Sequence, residues 1–154
     1  MMAIEYKYSS KILLNEEKEL ILPYLNLKIA LTIGEYAKFL GTLRGLPIAV
    51  EVRLGDWVVY HASLPGTSIE NQDWINKKAN VVLLKKHSTL LERVKAEELG
   101  VDWHIENGLP ESLYAVHGGG LPITTQKNGF EGILLISGLQ HIEDHNFGKE
   151  VLAQ

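Results

Sequence analysis

Residues 121–137 read LPITTQKNGFEGILLIS. Asn128-Gly129 suits a two-residue type I′ turn, in which both central positions need positive φ. That turn would pair Leu121–Lys127 with Phe130–Ser137 as a hairpin. Side chains alternate along a strand, so Ile133 and Leu135 point to one face and Leu134 and Ile136 to the other. A strand apolar on both faces is covered on both faces. Helices are therefore expected on each side of the sheet, giving three layers.

Working outward, Leu46–Arg53 and Asp56–His61 flank a Leu54-Gly55 turn. A two-residue loop there places Val52 opposite Trp57, Val50 opposite Val59 and Ile48 opposite His61. Tyr114–His117 supplies a fifth strand. A short acidic helix is expected after Asn15, with Glu16, Glu17 and Glu19 near its positive end, stopping at Leu22 before Pro23. A second helix runs from about Leu27 to Leu43. Its Ala30, Gly34, Ala37 and Gly41 form a stripe of small residues, suited to close approach of the sheet or of another subunit. Thr67 with Glu70, and Thr89 with Glu92, have capping-box spacing. They predict helices to about Leu84 and to about Gly100. Val101–Ser112 reads as an irregular connection, and a last helix spans about His141–Leu152. The expected fold is α+β: one domain over residues 1–154, a three-layer α/β/α arrangement with a five-stranded antiparallel sheet.

Composition excludes several functions. No cysteine is present. Disulfides, iron–sulfur clusters and thiol nucleophiles are ruled out, and a reducing cytosol is the expected compartment. The formal charge of -4 gives no general attraction to nucleic acid or an anionic membrane. Met1–Lys7 has no apolar stretch of the signal-peptide kind. Uncharged apolar runs such as Ile133–Ile136 are too short to span a bilayer.

Four motifs carry candidate chemistry. His117-Gly118-Gly119-Gly120 copies the oxyanion-hole motif of lipases, but no G-x-S-x-G elbow accompanies it. The glycines either permit close backbone approach or face a bound ligand. His141-Ile142-Glu143-Asp144-His145 resembles an inverted zinc motif, with aspartate in place of glutamate and no third ligand. No metal site is assigned; the acids also suit a helix start. Lys77, Lys78, Lys85, Lys86 and His87 form a basic strip, read as a solvated helix face or an anion contact. His61, on the apolar row of the first hairpin, reads as a satisfied core histidine rather than a ligand.

Three blocks together resemble the GlcG/HbpS-like haem-degrading domain superfamily. Leu64-Pro65-Gly66-Thr67, Asn71, Asp73-Trp74-Ile75 and Lys77-Lys78, with His87-Ser88-Thr89 after them, resemble its L-P-G…N-x-x-W-I-x-R-K segment and H-S-S step. Tyr114–Ile123 resembles its H-G-G-x-F-P-I signature. Ser137-Gly138-Leu139 with Glu143-Asp144-His145 resembles V-S-G-L-P-x-x-x-D-H. The resemblance spans about residues 27–152. Lys77 replaces the usual arginine, Leu121 a phenylalanine and Gln140 a proline, and His141 is not part of the pattern. The resemblance implies a profilin-like fold, homo-oligomeric assembly and haem binding in some members.

Three functions stay open: a small-molecule binding domain with haem as leading ligand, a non-catalytic assembly module, and a haem-degrading enzyme. At least a homodimer is expected. The expected ligand site joins His117, Gly118, Gly119, Gly120, Ser137, Gly138, Asp144 and His145, with Lys78 as an outlying anion contact. Glycine backbone N–H groups, a helix start and two adjacent titratable side chains converge there.

Overall fold

A computed structural model describes residues 8–154, so the reading of Met1–Lys7 lies outside the described residues. The elements run α1 (Ser10–Glu19), α2 (Leu27–Leu43), β1 (Ala49–Leu54), β2 (Trp57–Ser63), α3 (Ile69–Lys85), α4 (Thr89–Leu99), α5 (Trp103–Asn107), β3 (Gly120–Thr125), β4 (Gly129–Ser137) and α6 (His141–Leu152). The fold is α+β with an antiparallel sheet, as expected, but among the described residues the sheet has four strands, in the order β2-β1-β4-β3. The missing fifth strand has a local cause. Ala115 donates its N–H to the Lys77 carbonyl of α3. The 114–117 segment thus runs along that helix instead of along a sheet edge.

The alternation in β4 holds. Leu134 and Ile136 join Val50, Val52, Leu121 and Ile123 in a core under α2 and α6. Ile133 and Leu135 pack on the other face against Ile75, Ala79 and Val82 of α3. The turn into β4 is longer than predicted. Thr125 pairs with Gly129, leaving residues 126–128 as the loop. Gly129 has φ 76° while Asn128 is not at positive φ, so the type I′ turn is replaced by a longer loop ending on a left-handed glycine. The first hairpin also shifts. Its turn is Gly55-Asp56, Leu54 pairs with Trp57, and a bulge between Val52 and Arg53 places Val52 opposite Tyr60. His61 therefore lies opposite Glu51, on a polar row rather than the apolar one.

The small-residue stripe of α2 faces the sheet. A Cβ at Gly34 would overlap the Tyr60 ring, and one at Gly41 would come within 2.9 Å of Ile48 and Leu64. Caps shift the other predicted starts. Ser9 caps α1, which therefore begins before Asn15 and ends at Glu19, ahead of Leu22. Ser68, with Asn71 closing the capping box, starts α3. Ser88 starts α4. That last shift leaves Thr89 to accept the Gly120 N–H at 3.1 Å. Val101–Ser112 contains the one-turn helix α5, capped by Asp102.

Candidate functional site

Helix α3 supplies the floor of the candidate site. Asn71, Trp74 and Lys78 lie three and four residues apart, hence on one helical stripe. Trp74 and Lys78 reach the glycine loop and the start of α6, while Asn71 donates to Ser137 Oγ at 3.1 Å. The basic strip is thus not uniformly solvated: Lys78 is 2% exposed. Its ammonium donates to the Ile136 carbonyl at 2.8 Å and to Asp144 Oδ2 at 3.3 Å.

The glycine loop makes that burial sterically feasible. Gly119 has φ 124°, and a Cβ there would meet Lys78 Nζ at 2.7 Å and Asp144 Cβ at 3.1 Å. The loop's donors are largely committed. Gly118 N–H donates to His141 Nδ1 at 3.3 Å and Gly120 N–H to Thr89. Likewise, Gly138 and Leu139 N–H groups donate to the Asp144 carboxylate, at 3.3 and 2.9 Å. Backbone N–H groups expected to meet a ligand therefore satisfy the protein itself at Gly118, Gly120 and Gly138.

Asp144 and His145, adjacent in sequence, face different surroundings. Asp144 lines a cavity with Lys78, Ser137, Gly138, His117 and His141. His145 is fully buried and turns to α1, its Nε2 2.6 Å from Glu16 Oε1. Lys149 completes that cluster at 3.1 Å from Glu16 Oε2. Burial works to raise the Glu16 carboxyl, but the bonds from His145 and Lys149 win and hold it below its usual range. The two site histidines expected from the sequence, His117 and His145, are thus not brought together.

His141 takes the place expected of His145. It was legible as half of the His141/His145 pair at helical spacing, but that pair pointed to the wrong partner. Its ring lies 5.7 Å from that of His117, which in turn stands edge-on to Trp74 at 4.7 Å. Burial, with Arg93 and other cations beside them, pushes both imidazoles down to about 4, so they are neutral at pH 7. Burial also pushes Asp144 up to about 6 against the opposing pull of Lys78, and pushes Lys78 down. Among the described residues, no group of three His, Cys, Asp or Glu side chains is placed to hold a metal ion.

Two adjoining clefts share Trp74 and His117: an inner chamber against the end of β4, and an outer one lined by no strand residue. The inner one, about 330 Å³, holds Lys78, Asp144, Ser137 and His141. The outer one, about 460 Å³, is walled by Trp103, Tyr114 and Val116, with Lys77 and Arg93 as cations. Both volumes lie in the roughly 300–1,000 Å³ range of small-ligand sites.

Comparison with known proteins adds the lineage. A family model described as "Haem degrading protein HbpS-like" matches residues 25–153. The chain belongs to the HbpS-like family. The matched span includes every residue of both chambers and leaves out α1 with its Glu16. A UPF0303 protein of Rhizobium johnstonii is 36% identical over 138 residues, covering 90% of this chain and 85% of the relative. A UPF0303 protein of Streptomyces avermitilis is 34% identical over 139 residues, covering 90% and 85%. Among solved structures, the Ybr137w protein superposes with a TM-score of 0.88 at 23% identity, covering 96% of this chain and 87% of that one. The PduOC:heme complex gives a TM-score of 0.69 at 18% identity, covering 84% and 93%. These structural likenesses establish the fold. No helix among the described residues is long and apolar enough to cross a membrane.

Proposed function

We propose that this chain binds haem in the outer chamber, with His117 as the iron ligand. The observation that carries the reading is the state of His117. It is a neutral imidazole at the seam of the two chambers, and no ring nitrogen of it is hydrogen-bonded among the described residues. Neutral imidazole is the form that ligates iron. His141 is less suited, because its Nδ1 accepts the Gly118 N–H and its remaining proton therefore sits on Nε2. Trp74, Trp103 and Tyr114 offer apolar walls for a macrocycle, and Lys77 offers charge for a propionate, while Arg93 is held by Glu97 at 3.5 Å. The haem held by the structurally similar PduOC supports the same reading. Bound haem would supply iron redox chemistry; the chain supplies the ligand, a cation and the aromatic walls. Titrating haem into the purified protein tests this. The Soret band should shift and saturate at one haem per chain, and an unshifted band at stoichiometric haem overturns the proposal.

A second reading, an assembly module, is favoured by the edge strand β2. Trp57 is 61% exposed there and Val58 45%, beside an unpaired strand edge. The α2 stripe, packed on the sheet, does not support it. Sedimentation at micromolar concentration should give at least a dimer, reduced to monomer by Trp57→Lys. A stable wild-type monomer removes this reading.

A further inference from the structure

We propose that Lys78 is a nucleophilic amine that condenses with the carbonyl group of a small oxo acid in the inner chamber, with Asp144 as its proton-transfer partner. The proposal concerns the inner chamber and does not depend on haem in the outer one.

Lys78 is the only lysine among the buried residues described. Its side chain is 3% exposed, yet the residue lines a cleft of about 330 Å³. Its two protein acceptors are the Ile136 carbonyl and Asp144 Oδ2. At 3.3 Å, Asp144 is close enough to exchange a proton with it. Burial pushes the amine down and the carboxyl up, which lowers the cost of passing a proton from the Lys78 ammonium to Asp144 and so freeing the Nζ lone pair. A Cβ at Gly119 would come within 2.7 Å of that nitrogen, so only glycine admits it there.

The same chamber recognises an anion. Ser137 accepts the Asn71 amide, which leaves its own O–H free to donate. His141 accepts at Nδ1, so its Nε2–H is a donor. Both line the chamber. Two donors beside a nucleophilic amine fit a carboxylate next to a ketone or aldehyde.

The condensation balances without an oxidant or reductant. The Nζ lone pair attacks the carbonyl carbon, and the carbonyl π electrons move to oxygen, which takes the proton from Asp144. The nitrogen then returns a proton to the Asp144 carboxylate. Asp144 protonates the hydroxyl, which leaves as water while the nitrogen lone pair forms the C=N bond. The resulting iminium loses its N–H proton to Asp144. The sum is amine plus carbonyl giving imine plus one water.

Neither of the other charged clusters offers this. The space beside Glu16 and His145 is only about 10 Å³. Glu51 is occupied by Arg53, His61 and Gln72.

Borohydride trapping tests the proposal. Wild-type protein is incubated with pyruvate and sodium borohydride and measured by intact mass and peptide mapping. The expected product is one adduct per chain, with a mass gain of pyruvic acid less one oxygen atom, mapped to Lys78. Lys78→Arg should give none, and Asp144→Asn should trap about 100-fold more slowly. Should either variant fail to fold, the map on the wild type decides alone. No adduct, or one spread over exposed lysines, overturns the proposal. The haem reading is judged on a separate sample by its Soret band, so either can fail without the other.

Discussion

The two faces of the sheet bury different chemistry with the same strands. Toward α2 and α6 the strands turn Val50, Val52, Leu121, Leu134 and Ile136, and by the strand register β1, β3 and β4 place no charged residue, among those described, on that face. Toward α3 they turn Ala49, Ile133 and Leu135, together with Glu51 and Arg53 at 2% and 7% exposure. Glu51 and Arg53 are joined at 2.7 Å, and Gln72 and Asn76 of α3 bond to them in turn. The first face is held by area and shape, which are tolerant. The second is held by matched donors and acceptors, each of which costs free energy if left alone. Polar helix residues are already required on the second face, and the cavity with Lys78 lies there.

Core changes on the two faces give the largest expected disturbances. Glu51→Ala leaves the buried Arg53 only the exposed Asp56 and Asn76 as partners, and should cost about 3 kcal/mol by urea denaturation. Adding Arg53→Met should recover most of that loss, because no charge is then left unpaired. On the apolar face, Leu134→Ala should cost about 2–5 kcal/mol with no such rescue available. If Arg53→Met fails to restore the Glu51 variant, the contrast between the faces collapses.

A smaller effect is expected from pH. His117 and His141 lie at about 4 against an ordinary 6.5. As pH falls through this interval the unfolded chain binds these protons first, so the stability they contribute is complete above pH 6.5 and is lost toward pH 4. Asp144, raised from 3.8 to about 6, has the opposite sign. The folded state takes its proton first, which offsets part of the loss between pH 6 and 3.8. The stability of His117→Gln should therefore fall less steeply with acidification than that of wild type, and Asp144→Asn more steeply. Parallel curves would contradict the protonation states assigned to the cavity.

Much of this was legible in the sequence, for a physical reason. Period-2 alternation in 133–136 set both faces of β4, and the spans of α2 and α6 followed from helical spacing and turn residues. Turn geometry was less legible. Only Gly129 took positive φ, and Asn128 did not, so the hairpin loop lengthened. The fifth strand failed because Ala115 found its acceptor on α3, a partner that local pattern does not reveal. At the site, the residues of the glycine loop, Ser137, Asp144 and Lys78 were all singled out, and the structure gathers them. His145 turns to Glu16, a partner 129 residues away in sequence that no local pattern reveals. Trp74 and Asn71 were seen only as parts of a resemblance, although their spacing from Lys78 already placed all three on one helical stripe.

The central claim is that the ligand site lies at His117, on the α3 side, and not at His145. Haem titration of three proteins tests it most directly. The account predicts that wild type and His145→Gln shift the Soret band alike, while His117→Ala leaves it where free haem absorbs. A shifted band in His117→Ala, or its loss in a folded His145→Gln, would contradict the account.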